Sequence, residues 1–418
     1  MSVSSNGAAR AQTQPKWPTP SALLDGGMLI VLFAILPLEH TPGLRYLLCV
    51  MLGLRGVALL IADPDGSFLK RAWGLWPWLL WASASYFWSV SPNLTLADLK
   101  HDLWAPALAL FGAYQILRRH GCFTVLLWAS AAGTLANFLV TVFGGPTAAY
   151  PLPLAGYYYS TIDYSSTYAM YFCAIALPWA IEKGGRGIRL LAGIVLIVNL
   201  GGAVLIGSRA FLVALALLLV VAGLVVATRG RWRGAVAVVM VAVLTVAVFA
   251  VINRNRTVQY TENGGVVAGL NHILQHEVRF RIWRSWADRA IDGPAVGVGF
   301  GRDVPPTTLT PAERQSLQAI DAFAVMHSHN VFINLVAETG WPGLAFFVLM
   351  IGQFTWRLAR ASGAGSSGSQ ARDAGLLLIA AMILKNQTDV CMLFSPAALF
   401  YTALGSTLAW PSGKQFSS

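Results

Sequence analysis

Apolar runs long enough to cross a bilayer recur from about residue 22 to residue 410, and one long polar stretch, Arg254 to His329, interrupts them. They predict spans at 22–38, 42–62, 73–90, 100–117, 122–144, 165–182, 188–206, 210–228 and 233–253, then at 330–359, 373–393 and 395–410. The tenth is broken by Gly340-Trp-Pro-Gly343, so its first turns are expected to form a short separate helix. Short alternating segments, the mark of a membrane β-barrel, are absent. The expected fold is an all-α polytopic membrane protein with about twelve transmembrane helices and one long helical loop.

Composition agrees: of 418 residues, 56% are hydrophobic and 11% charged, and the mean hydropathy is +0.60. The basic residues orient the spans. Alternate connections carry Arg10/Lys16, Lys70/Arg71, Arg118/Arg119, Lys183/Arg186/Arg189, Arg229/Arg231/Arg233, Arg357/Arg360/Arg372 and Lys414. The intervening short loops carry only Arg45, Lys100 and Arg209. By the positive-inside rule both termini are cytoplasmic, and the long loop is periplasmic in a bacterium with two membranes. Residues 1–20 are then a disordered cytoplasmic tail and 21–253 the first nine spans. Residues 254–329 form a periplasmic loop that holds the candidate functional residues, 330–410 the last three spans and 411–418 a second cytoplasmic tail. Residues 361–370, rich in Gly and Ser, read as a flexible cytoplasmic linker.

Much of the net charge of +11 is this topology signal and implies membrane lipids as partners. The excess on the loop side points to anions such as phosphates or carboxylates, and that compartment excludes nucleic acid. Cys49, Cys122, Cys173 and Cys391 fall in or beside spans without a CxxC pairing, which argues against a disulfide or a metal site. No internal repeat is visible, as a transporter of two equivalent halves would show.

Several polar residues stand out against this apolar background. Arg209 lies in a very short turn between two apolar helices, either a snorkelling anchor or an anion ligand at a helix start. Glu277–Asp292 has helical spacing, with Phe280, Trp283 and Trp286 or Ala287 on one face and Arg281, Arg284 and Asp288 on others. It reads as an amphipathic helix resting on the membrane interface. Position alone does not separate Arg279 from Arg281 as a functional cation. Pro294–Gly301, with three glycines, lacks a preceding strand and a P-loop lysine, so a structural turn is the first reading. His327 and His329 form an HxH without the i, i+4 spacing of helical metal ligands. A histidine at the mouth of a span is a candidate general base, because an imidazole ordinarily titrates near neutrality. Asn330 and Glu338 extend the polar run. Lys385 and Asp389, four apart in the eleventh span, are expected to pair on a helix or to divide between phosphate binding and an orienting role. Tyr157–Tyr159 and Asp163 are candidates for a sugar site or an aromatic belt.

The order Ser208-Arg209, Arg279 to Trp283, Pro294/Gly297/Gly299, His329-Asn330 and Glu338/Gly340 resembles the O-antigen ligase and polymerase superfamily of bacterial inner membranes. The motifs cover about 207–345, and the twelve-span topology extends the likeness to the whole chain. This resemblance selects Arg279 over Arg281 and His329 over His327, and the chain's size favours a ligase within the superfamily. It implies a GT-C-like glycosyltransferase acting at the periplasmic face of the inner membrane, moving O-antigen from undecaprenyl diphosphate to a sugar hydroxyl of lipid A–core. The transfer would be inverting and need neither cofactor nor metal. His329 would be the base, with Arg209 and Arg279 on the diphosphate and Lys385, Asp389, Arg281, His327, Asn330 and Glu338 as further binding candidates. A chain-length regulator is a candidate partner. The rival readings are a polymerase with the same chemistry and a non-enzymatic lipid transporter.

Overall fold

The computed structural model describes residues 19–409 apart from 39–40, 65, 144–161, 183–184, 206–207, 231, 253–277, 322–323, 362–365 and 388–393. Among the described residues it is all α, with no strand. Helices α1 (Pro20–Ile35), α2 (Pro42–Ala62), α3 (Ser67–Arg71) and α4 (Leu75–Ala84) lead to α5 (Pro92–Asp98). A π-helical turn (Leu99–Trp104) joins α5 to α6 (Ala105–His120). Then follow α7 (Thr124–Phe143), α8 (Ile162–Ile181), α9 (Arg186–Leu205), α10 (Arg209–Ala227) and α11 (Trp232–Ile252). The polar region supplies α12 (Val278–Asp292) and α13 (Pro311–Ile320), and α14 (Val331–Arg360), α15 (Ser366–Lys385) and α16 (Phe394–Leu408) complete the chain.

Helices therefore occupy all the positions that hydrophobicity marked. Among the described residues five, at Pro42–Ala62, Thr124–Phe143, Arg186–Leu205, Ala210–Ala227 and Val331–Arg360, are long and apolar enough to cross a membrane by length and composition. The chain is an all-α polytopic membrane protein. Two expectations are corrected. Ser366–Gln370, read as linker, already belongs to α15. That helix ends at Lys385, so it does not carry Lys385 and Asp389 together as an i, i+4 pair. Asp389 itself lies outside the described residues.

Helix α8 sits at the centre, its residues Ser165–Trp179 buried on every side, as an all-round apolar helix must be. Helix α16 is likewise buried from Ser395 to its end. Two ionic clusters mark one end of the bundle. Asp25 of α1 accepts from Arg55 of α2 at 2.7 and 2.9 Å and lies 2.8 Å from Nε2 of His120 at the end of α6. Arg229, just beyond α10, binds Glu182 at 2.5 Å, just beyond α8, and also Asp373 near the start of α15. This second cluster fixes polarity. The C-terminal ends of α8 and α10 meet the N-terminal part of α15, so the first turn of α10 and the last turn of α15 share the opposite end. The polar region docks there.

Candidate functional site

Proline has no N–H to continue a helix, and the α14 kink shows how a buried break is satisfied. Gly340 adopts φ 71°, ψ −175°, and Pro342 follows within the helix. The carbonyls this frees all find donors: Ala337 accepts from the N–H of Val298 at 3.1 Å, Glu338 from that of Gly299 at 2.8 Å, and Thr339 from the Trp81 indole at 2.8 Å. In return the Trp341 N–H donates to the Ala295 carbonyl at 3.1 Å. So the glycine-rich turn is a backbone clamp on the kink. A Cβ on Gly297, which has φ +74°, would lie 2.4 Å from the Glu338 oxygen. Only glycine permits that approach.

The same turn encloses a buried acidic group whose members, apart from Glu338, sequence reading missed. Glu338 is 3% exposed and its carboxylate accepts from the Gly301 N–H at 3.2 Å. Around Gly301 lie Asp98, just before the π-turn, Asp102, within it, and Arg302, which donates to Asp303 at 3.2 Å. Burial, and next the charge of Asp303, push the Asp98 carboxyl up to about 6. The sequence-level signal was present: two aspartates four apart just before an apolar run, and an arginine directly after the last glycine.

The His327–Asn330 segment is built as a rigid turn. Ser328, fully buried, donates its hydroxyl to the Asn330 carbonyl at 2.8 Å and its N–H to the Asn334 side chain at 3.0 Å. Asn330 caps α14, its side-chain oxygen accepting from the N–H groups of Phe332 at 3.0 Å and Ile333 at 3.3 Å. Its amide donates to Gln387 at 3.2 Å. Asn330 is thus a helix cap in this structure. Between these anchors His329 has φ +56°, the one positive value on a non-glycine among the described residues. Such a backbone costs on the order of 1 kcal/mol and persists only where surroundings impose it. The His329 N–H donates to Nδ1 of His327 at 3.2 Å, and the two rings meet edge-on at 4.2 Å. That bond makes His327 Nδ1 an acceptor, so a neutral His327 ring carries its proton on Nε2.

Helix α15 ends beside this turn. The Asn386 carbonyl accepts from the Val331 N–H at 3.1 Å, and Lys385, next in the chain, is fully buried. Arg209 is the first residue of α10, and by the polarity established above it lies at the same end of the bundle; its side chain lies outside what the structure describes.

Helix α12 packs on the start of α14 through its apolar face. Ile282 and Trp286 are buried with Ala324, Val325, Leu309 and Leu317, and Ile333 of α14 packs against them. The Trp286 indole donates to the Ala324 carbonyl at 2.8 Å. The interface-helix reading is corrected accordingly: this tryptophan is buried in the polar region's own small core. The register places Arg279 half-buried in line with Trp283, Trp286 and Ala290, whereas Arg281, Arg284 and Asp288 are exposed. Arg289, half-buried, binds Glu313 and donates to the Thr308 carbonyl at 2.8 Å and hydroxyl at 2.6 Å, a structural tie.

The structure therefore brings His327, His329, Asn330 and the Lys385 segment into contact and sets the inward face of α12 against the same helix start. It leaves Arg281 outside and puts Glu338 deeper, under the glycine turn. Tyr157–Tyr159 and Asp389 lie outside the described residues, as does the side chain of Asp163 in the first turn of α8. Residues 194–348, from α9 through the α14 kink, match the family model described as O-antigen ligase. No curated protein matches the chain.

Proposed function

We propose, from the premise that this chain carries an O-antigen ligase family domain over residues 194–348, that it is a ligase moving a glycan from undecaprenyl diphosphate to a sugar hydroxyl of lipid A–core. At the coarser level, the family indicates a membrane glycosyltransferase of the ligase and polymerase type, using a lipid-linked polysaccharide donor. The observation that carries the finer reading is the imposed left-handed backbone of His329, in a turn held by the Asn330 cap and the buried Ser328 hydroxyl.

In this reading the acceptor hydroxyl attacks the anomeric carbon while His329 takes its proton. The bond from that carbon to the diphosphate oxygen breaks, and its electron pair leaves with the lipid diphosphate. Approach opposite the leaving group inverts the anomeric centre. Negative charge develops on the departing diphosphate, and guanidinium groups suit it because they stay charged and bind phosphate in bidentate fashion. Arg279 and Arg209 take this role, with Lys385 as a third cation. The site faces the periplasm, and both termini are cytoplasmic.

The test is product analysis with purified protein, lipid-linked glycan and lipid A–core. Glycan-capped lipid A–core that depends on the protein supports the ligase. Lengthened lipid-linked glycan, formed equally without lipid A–core, would assign a polymerase instead.

A further inference from the structure

A cavity of about 460 Å³ opens between the C-terminal half of α12, the turn at Gly293-Pro294, the 3-10 turn Pro305–Thr308 and the start of α13. That is within the size range of small-ligand sites. Its polar lining is Ser285, Asp288, Arg289, Asp292, Thr308 and Glu313. None of these belongs to the set assigned above to the transfer itself.

Its chemistry is one-sided. Three carboxylates line it against one guanidinium; Arg289 and Glu313 pair with each other, which leaves Asp288 and Asp292 as the uncompensated charges. The hydroxyl and N–H of Thr310, followed by Arg289, hold the Glu313 carboxyl below its ordinary value, so it stays ionised. Asp288 and Asp292 are exposed at the rim, one helical turn apart on the same side of α12. An acceptor-rich lining of this kind repels phosphate and receives hydroxyl or ammonium donors. Asp288 follows Arg279 by nine residues, which on a helix is roughly 14 Å. A group held in the cavity is therefore remote from any diphosphate held by Arg279.

We propose that this cavity is a sugar subsite, binding neutral or amino-substituted, non-phosphorylated residues of a glycan at a distance from the reacting bond. The proposal rests on the transferase reading for its role in turnover, but not for binding itself. Two glycans share the required chemistry: the polysaccharide of the donor and the core oligosaccharide of the acceptor.

The test uses the full chain in lipid nanodiscs, wild type against the pair Asp288→Lys/Asp292→Lys. Both positions are exposed, so the fold is expected to survive, and a thermal melt checks this. Binding is read by saturation-transfer NMR with two probes: polysaccharide freed from its lipid by mild acid, and dephosphorylated core oligosaccharide. Inorganic phosphate is the control. One oligosaccharide should bind the wild type, with the lysine pair weakening it about tenfold, the loss of one or two charge-assisted hydrogen bonds. In turnover, KM for the matching substrate should rise similarly while kcat holds. No binding of either oligosaccharide to the wild type, or equal binding to a folded lysine pair, would overturn the subsite. If the wild type binds the probe and the lysine pair does not, yet no glycan is transferred to any acceptor, the transferase reading falls and the subsite stands.

Discussion

Gly299 donates its N–H to the carbonyl of Glu338 at 2.8 Å, the very carbonyl that Pro342 leaves without a helical donor. The glycine turn and the kinked helix are thus one unit, each completing the other's backbone hydrogen bonds in a region with little water to substitute. This joins the polar region to the bundle at the α14 kink, about two to three turns beyond the Asn330 cap that begins the helix.

Replacing Gly297 by Ala should be severe. The new methyl would sit against the Glu338 carbonyl oxygen on a backbone with φ +74°. Both the left-handed strain and the broken clamp act together, so a loss of about 2–3 kcal/mol is expected. A thermal melt in detergent checks it, with Gly352→Ala as control, where an added Cβ meets nothing within 4 Å.

The two faces of α12 should separate functionally. Arg279→Ala, on the half-buried face, should cut transfer at least 100-fold, the scale seen when one charge-stabilising group is removed. Arg281→Ala, exposed, should stay within a few-fold of wild type. Equal losses for the two variants would show that helix register does not choose between them.

Asp98 predicts a pH dependence of stability. Burial raises its carboxyl to about 6, above the ordinary 3.8. The folded state therefore holds this proton more tightly than the unfolded state, so the stabilisation is complete below about pH 3.8 and is lost as pH rises through 6. The increment is on the order of 3 kcal/mol. Asp98→Asn should remove that part of the slope between pH 4 and 7, measured by chemical denaturation of both proteins. An unchanged slope would place the titration elsewhere.

Much of this was legible in the sequence, for reasons that differ residue by residue. Helix positions followed from apolar runs because backbone groups in a bilayer must bond within their own segment. The Gly340-Trp-Pro-Gly343 break and the structural character of the glycine turn were readable from residue type alone. The inward register of Arg279 needed one further fact, which face of α12 carries buried Ile282 and Trp286. The Glu338–Gly301 contact was not legible, since it joins residues far apart in the chain; Asp98 and Asp102 stood out as a pair four apart, but not the approach of Asp98 to Gly301. The end of α15 at Lys385 was missed because an apolar run resumes at Val390, after four polar residues. The role of Asn330 as a cap was open to reading, as an asparagine directly before a helix, but the polar company of two histidines suggested substrate instead.

The most direct test of the central claim is glycan transfer by a His329→Gly variant. Glycine accepts the φ of +56° freely, so the turn survives while the imidazole is lost. Stability should remain within about 1 kcal/mol of wild type, and transfer to lipid A–core should fall by roughly 10²–10⁴-fold. A folded His329→Gly protein that transfers glycan at the wild-type rate would contradict the account.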